Sequence, residues 1–311
     1  MQPAAELVSV VIPARDAAAT LPRAVRSVLD QDYAPVEVIV VDDGSRDDTA
    51  ATAAALGARL VRLMPSQGVG AARNAGIAAA RGAVVAFQDA DDEWLPGKLR
   101  RQMALLLADP RTDFVACGAR LIDAGGHDRG PLYDGRIPQA GGQAWRGLLA
   151  RNTIATPCVV AWRRALLAAG GFDPGLAVAE DQDMWLRLAM RGRLGYLDEL
   201  LVRVHVTPSS VSGVGTGAGA RQQRDITLPM VRRHLARQRG ALSAREVRHI
   251  LGERLGRVGR ASYSHRDYAE GLLLVARAML HGDRPAGNLL FLLVAAPPAR
   301  WLKRLLGLER A

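Results

Sequence analysis

Three carboxylate clusters in this 311-residue chain have the composition and spacing to do chemistry. The first is Asp89-Ala90-Asp91-Asp92. Three carboxylates in four residues repel one another unless a cation or solvent screens them. Their oxygens suit Mg2+ or Mn2+, and an ion that also binds substrate phosphates needs only one or two protein carboxylates. The same run also fits a solvated acidic turn or a helix cap ahead of Trp94. The second cluster is Asp42-Asp43-Gly44-Ser45, able to accept hydrogen bonds from a base or ribose, or to close a turn and cap a helix. The third is Glu180-Asp181, followed by Asp183. A carboxylate beside a bound sugar can take the proton of an attacking hydroxyl. Equally, acids in a first helical turn are favoured by the helix dipole.

A fourth motif, Gly68-Val-Gly70-Ala-Ala-Arg73, imitates a dinucleotide-binding fingerprint, with an acid at Asp89 further on. Arg73 stands where the third glycine would allow close helix–strand packing, and the unit is not the first strand–helix step. Arg73 is instead free to face a donor phosphate. A nicotinamide enzyme is thus the weaker reading.

These residues need elements to position them. Apolar runs at 7–13, 36–41, 58–63 and 84–87 predict four strands, with helical spacing between them: Leu21, Val25, Val28 and Leu29, then a helix from Thr49 capped by Asp47 or Asp48, then an Ala-rich helix to Ala80. This alternation predicts a parallel sheet with helices on its faces, and ligands outside the carboxyl ends of its strands. Asp16, Asp43, Gly68 to Arg73 and Asp89 to Asp92 should converge there. Further on, strands are expected at 114–122 and 200–205, helices at 141–150 and 183–191, and a glycine-rich loop or lid at 213–219. From 225 the pattern is helical. Val247, Ile250, Leu251, Leu255 and Val258 share one face, and Leu272, Leu273, Ala276, Met279 and Leu280 another. Trp301, Leu302, Leu305 and Leu306 oppose Arg300, Lys303 and Arg304.

Taken in order, these pieces resemble the family 2 glycosyltransferases, which have a GT-A fold. The resemblance rests on Val8-Ser-Val-Val-Ile-Pro13, Ser27-Val-Leu-Asp-Gln31, Val40-Val-Asp-Asp-Gly-Ser45, Arg73-Asn-Ala-Gly-Ile77, Asp89-Ala-Asp-Asp-Glu-Trp94, and Gly170-Gly-Phe-Asp173 leading to Glu180-Asp181-Gln-Asp-Met-Trp185. It covers about residues 6–212. It implies an α/β Rossmann-like mixed sheet and an inverting transfer from a nucleotide-diphosphate sugar, assisted by a divalent metal (Mn2+ or Mg2+), to a saccharide or glycolipid hydroxyl. Pro13 and Asp43 would line the nucleobase and ribose pocket. Asp89 would sit by ribose and metal, Asp91 would be the main metal ligand, and Asp181 the general base. His205 falls where some relatives place a further metal ligand; an ordinary surface or core histidine is the other reading. Arg15-Asp16 departs from the aromatic–Asn pair more usual there, so Asp16 would alter base or ribose contacts. The Gln-x-x-Arg-Trp signature of processive relatives is absent, which implies single-sugar transfer. A non-catalytic sugar-nucleotide or membrane-binding module is the rival class, and the presence of both Asp91 and Asp181 argues against it.

Composition sets the frame. Cys117 and Cys158 are far apart in sequence, with no zinc-type spacing, so they read as two ordinary buried thiols in a reduced compartment. The net charge is +10, yet residues 225–311 hold 16 Lys+Arg against 7 Asp+Glu, so the basic character lies there. We therefore expect a glycosyltransferase domain over 1–224, with a nucleotide-sugar half to about 110 and an acceptor half to 224. A basic helical region over 225–311 follows. No stretch reads as a signal peptide or a membrane span. The expected location is cytoplasmic, peripheral on the inner membrane face, with the basic helices on anionic lipid. Few aromatics interleave with the arginines, so no nucleic acid partner is expected.

Overall fold

A computed structural model describes residues 5–135, 138–206, 217–238, 240–283 and 287–288. The chain divides into two compact units, 1–211 and 212–311.

The first unit opens with four strands, largely buried in the sheet interior except the third, which is a half-exposed edge strand. They are β1 (Val8–Ala14), β2 (Val36–Asp42), β3 (Arg59–Arg62) and β4 (Val84–Phe87). The connecting helices are α1 (Leu21–Leu29), α2 (Thr49–Ala55) and α3 (Val69–Ala79). β2 pairs β1 and β3 in parallel, and β1 pairs β4 in parallel, as the alternation predicts. α3 lies close on β1 because residue 76 is glycine: a Cβ there would stand 2.2 Å from Val11 Cγ1. The cap of α2 is settled too. The Asp48 side chain makes no capping bond, whereas Asp47 Oδ1 accepts from the Thr49 amide at 3.0 Å.

The sheet then turns mixed. β5 (Glu93–Trp94) and α4 (Lys98–Ala108) follow the acidic run, and the sequence pattern did not reveal α4. Next come β6 (Thr112–Ile122), β7 (Asp128–Pro131), α5 (Ala144–Ala150), β8 (Val159–Trp162), α6 (Arg163–Ala168), α7 (Glu180–Arg191) and β9 (Arg193–His205). The order is β3-β2-β1-β4-β8-β6-β9-β5, with β7 on β6. β8 is antiparallel to β4 and β6, while β9 runs parallel to β6. Three boundaries differ most from expectation. α5 starts at Ala144 because Gly141 (φ +99°) bridges to Leu194 instead. α7 starts at Glu180, which puts the acidic pair inside the helix. β9 starts seven residues early, and its register with β6 shifts near Cys117 and Gly118, which blurs the alternation.

The second unit contains α8 (Gly217–Gln222), a π turn at Gln223–Thr227, α9 (Leu228–Arg237), α10 (Ala244–Ser264) and α11 (Tyr268–Leu280). Residues 217–219, expected in a loop, are helical; 207–216 and the predicted Trp301 face lie outside the described residues. Ser243 and Glu246 form a capping box that starts α10. The apolar face expected on α11 is a correction. Leu274, Val275 and Ala278 are buried, while Leu273 and Leu280 are exposed. The cause is close helix approach: a Cβ on Gly259 would stand 2.8 Å from the Val275 amide, so α11 turns its small residues, Gly271 and Ala278, toward α10.

Candidate active site

The carboxyl ends of β1, β2 and β4 carry the predicted donor residues. Pro13 is buried in β1, paired with Val41. Beyond it the chain turns through Asp16, which has φ +49°. Asp and Asn tolerate that left-handed backbone better than other side chains, which gives Asp16 a local reason. Its Oδ1 accepts from the Arg46 amide at 2.7 Å, and its amide donates to Ser45 Oγ at 3.0 Å. The Ala17 and Ala18 amides donate to Thr49 Oγ1 and Asp47 Oδ2. The loops after β1 and β2 are thus one interlocked wall.

Asp43 is buried, and its carboxylate is largely occupied. Oδ1 accepts from the Gln67 amide at 2.7 Å, and Oδ2 from Ser66 Oγ at 2.8 Å and the Gly68 amide at 2.9 Å. Gly44 (φ +72°) lets the turn pass that loop, since a Cβ would stand 3.0 Å from the Ser66 amide nitrogen. Asp43 therefore shapes the loop that starts α3.

Arg73 on α3 joins two further predicted residues. Its Nη1 donates to Glu180 Oε1 at 2.6 Å and its Nη2 to Asp89 Oδ1 at 3.0 Å, with Phe172 beneath the guanidinium. Burial alone would weaken its charge, but the Asp89 and Glu180 carboxylates outweigh that and keep it firmly cationic. Asn74 grips the Phe172 backbone in both directions, at 2.7 and 2.8 Å. Residues 73, 74 and 76 thus each have a separate packing or pairing task. The glycines at 68 and 70 do not make a dinucleotide cradle: a Cβ on Gly70 would press on the Asp173 carbonyl at 3.3 Å.

Asp181 stands in the first turn of α7, where the dipole favours a negative charge. Ala179 before it has φ +63°, an uncommon backbone for a residue with a Cβ. Asp181 Oδ1 accepts from the Gln182 amide at 2.6 Å and Oδ2 from Asn152 Nδ2 at 3.2 Å. Burial, then the neighbouring Glu180 charge, pushes its carboxyl up to about 7 against the opposing pull of Arg73. Trp185 anchors the helix, buried among Phe87, Phe114 and Phe172.

The acidic run closes the site. Arg23 of α1 donates to the Asp91 carbonyl. Asp92 is buried and accepts from the His205 amide at 3.0 Å. Burial, then the Asp89 and Asp91 charges, pushes its carboxyl well above the usual range. His205 ends β9, and its Nε2 is buried with no hydrogen-bond partner; Glu93 Oε2 stands 3.8 Å away, too far for a bond. Burial, then the Arg23 charge, lowers its affinity for a proton, so the ring is a neutral nitrogen donor. Among the described residues, no three His, Cys, Asp or Glu side chains form a ready metal cage. The donor set still fits a hard divalent ion that takes one or two carboxylates and completes its shell from a diphosphate and water. The orphaned His205 Nε2 and the mutual repulsion of the acidic run both favour a cation there.

Sequence reasoning named Asp89, Asp91, Asp181 and His205, and Glu180 only as part of an acidic pair, but gave no role to Asn152, Asn74 or Arg23. Asn74 carried a signal, its place in the Arg73-to-Ile77 motif. Asn152 carried none.

A mixed α/β sheet with acidic loops at its parallel strand ends is the architecture of the GT-A glycosyltransferases. A mannosyltransferase from Pyrobaculum calidifontis, solved with GDP-Man and Mn2+, matches over 93% of this chain and 79% of its own, at TM-score 0.62 and 20% identity. The model of glycosyl transferase family 2 matches residues 9–167, and the chain belongs to that family. An uncharacterized protein of Mycobacterium tuberculosis is 33% identical over 232 residues, 69% of this chain and 72% of that one. The succinoglycan biosynthesis protein ExoO of Rhizobium meliloti is 46% identical over 99 residues, 31% of this chain and 28% of its own length.

Proposed function

We propose that this glycosyltransferase moves a single sugar, with inversion, from a nucleoside-diphosphate sugar to a hydroxyl of a saccharide or glycolipid acceptor, in polysaccharide or glycolipid assembly. One observation carries the reading. The base candidate Asp181 and the acidic-loop residue Asp89 belong to one connected set, through Glu180 and Arg73. That connection supports reading Asp181 as the proton acceptor and Asp89 as part of the leaving-group site.

In this reading Pro13, Asp16 and Asp43 bound the nucleobase and ribose, Asp43 by holding the 66–68 loop. Asp89 and Asp91 hold the divalent ion, Mn2+ or Mg2+, with His205 as a further ligand. A bound ion supplies charge neutralisation on the leaving diphosphate. We assign Arg73 to holding Asp89 and Glu180 rather than to the donor phosphate, since its two terminal nitrogens are committed to them. Asp181 accepts the acceptor hydroxyl's proton as that oxygen attacks the anomeric carbon opposite the diphosphate. An aspartate raised to about 7 is a stronger base than an ordinary one and works close to neutral pH. The Mn2+ and GDP-Man on the Pyrobaculum neighbour and the succinoglycan role of ExoO support the donor and the pathway class.

The test is product structure. With an α-linked donor and a saccharide acceptor, proton NMR should show one added sugar in β linkage. Retained configuration or chain growth would refute inversion or single transfer respectively.

We also propose that the basic helices after residue 224 rest on the inner face of the cell membrane and keep the enzyme in the cytoplasm. No helix among the described residues is long and apolar enough to cross a membrane. Exposed Arg232, Arg233, Arg237, Arg245 and Arg248 on α9 and α10 suit anionic lipid. Vesicles with phosphatidylglycerol should retain the protein at low salt and release it at high salt. Equal retention on neutral vesicles, or preference for duplex DNA, would refute this.

A further inference from the structure

The two cysteines, 41 positions apart in sequence, meet in the core. β6 and β8 pair antiparallel through Ala116 and Val159; Cys117 is the next residue of β6, and Cys158 ends the 3-10 turn Thr156–Cys158 that leads into β8. Cys117 Sγ lies 3.8 Å from the Cys158 carbonyl oxygen, and both thiols are free and buried. The cysteines thus adjoin a directly opposed pair, whose Cα separation in antiparallel strands is about 4.5–5.5 Å, and a disulfide spans Cα separations of about 4.4–6.8 Å.

Two independent features set this pair apart from packed thiols. Lys98, the first residue of α4, is fully buried, and its Nζ has no hydrogen-bond partner. It lies 3.5 Å over the Trp94 ring, and its charge acts on both cysteines. Burial pushes the ammonium down to about 8, so it is still mostly charged at neutral pH. In addition, both sulfur residues line a cavity of about 170 Å³, together with Tyr133, Thr153, Tyr196 and Asp198. A small polar oxidant thus has somewhere to sit against the thiols.

We propose that Cys117, Cys158 and Lys98 form a peroxide-reactive dithiol whose sulfurs couple into an intramolecular disulfide. The roles follow from the surroundings. Burial opposes ionisation of Cys117, but the Cys158 thiol donating to it and the Lys98 charge together hold it below its ordinary value. Cys158 is pushed well above, first by that same hydrogen bond and then by burial. Cys117 is the attacking sulfur and Cys158 the resolving one. The Cys117 thiolate attacks one oxygen of hydrogen peroxide, and the O–O bond breaks. The departing hydroxide takes up a proton and leaves as water, giving a sulfenic acid. The Cys158 sulfur then attacks that sulfur, the S–O bond breaks, and the hydroxyl leaves as water with the Cys158 proton. Two thiols and one peroxide yield one disulfide and two waters, with two electrons passing from sulfur to peroxide. Cys158 follows Pro157, whose carbonyl holds the Trp94 indole at 3.0 Å, so the pair adjoins the segment carrying the acidic loop. None of this depends on the proposed transfer reaction.

The experiment uses the folded full chain, treated with hydrogen peroxide, denatured in an alkylating agent and weighed intact. The expected result is loss of two hydrogens, with both cysteines protected from alkylation and linked in one peptide pair. Cys158→Ser should instead stop at a sulfenic acid on residue 117 that dimedone traps. Lys98→Met should slow oxidation about tenfold, with a circular dichroism melt confirming that it is folded. Wild-type protein that keeps both thiols alkylatable, or gains two oxygens on one cysteine while the other stays free, would overturn the proposal without recourse to any variant.

Discussion

Asp181→Asn should lower turnover by about a thousandfold while leaving donor affinity nearly unchanged. The substitution keeps the side-chain shape and an oxygen for the Gln182 amide but removes the proton acceptor. A matching pH profile is expected in the wild-type enzyme. In the proposed role Asp181 must be ionised to act, and its carboxyl is raised from 3.8 to about 7. Activity is therefore present above about 7 and lost as pH falls through it, so kcat/KM should rise across neutrality and then level. Stability should move the other way. Between 3.8 and about 7 the folded state binds more protons than the unfolded chain, so stability falls as pH rises. At pH 8 the Asn variant, with no charge to bury, should melt higher than wild type. Loss of activity together with gain of stability is the signature of a functional carboxylate held at a cost. An Asn variant that transfers sugar at more than a tenth of the wild-type rate would remove Asp181 from the base role.

Asp91→Ala should weaken donor binding in Mn2+ by about two orders of magnitude, as expected when a ligand to a hard ion is lost. Binding without metal, already weak, should hardly change. Asp92→Asn is the useful contrast. Asp92 is buried and receives the His205 amide, a bond that asparagine can preserve through its oxygen. Its effect on metal-dependent binding should stay within a few-fold. Calorimetry of both variants, with Mn2+ and with EDTA, separates the roles. If Asp92→Asn loses metal-dependent binding and Asp91→Ala keeps it, the ligand assignment is reversed.

The region up to the acidic run was readable because β1, β2 and β4 are continuous apolar runs followed by acids, and because a parallel sheet gathers strand ends on one edge. Val84–Phe87 came out at its observed bounds, and Val36–Asp42 within a residue. The region after the acidic run was less readable. Thr112–Ile122 and Arg193–His205 shift register against each other, so their alternation breaks where pattern reading needs it. α4 was missed although it carries Lys98 and Gln102, both fully buried: polar side chains at core positions hide an apolar face. A different cause explains α11, where buried glycine and alanine set the helix contact and the leucines at 273 and 280 stay exposed. Within the site, single motifs located the carboxylates, but only tertiary structure could show Arg73 joining Asp89 to Glu180, or Asn152 holding Asp181. The cysteine pair illustrates the limit. Two residues 41 positions apart become neighbours through an antiparallel pairing that the expectation of a parallel sheet did not contain.

The central claim is that this site binds a nucleoside-diphosphate sugar with a divalent ion. Its most direct test is calorimetric titration of the wild-type chain with UDP-, GDP- and dTDP-sugars, in Mn2+, in Mg2+ and in EDTA. The account predicts saturable binding of one donor class in metal, abolished by EDTA. Absence of binding by every nucleotide sugar under every metal condition would contradict it.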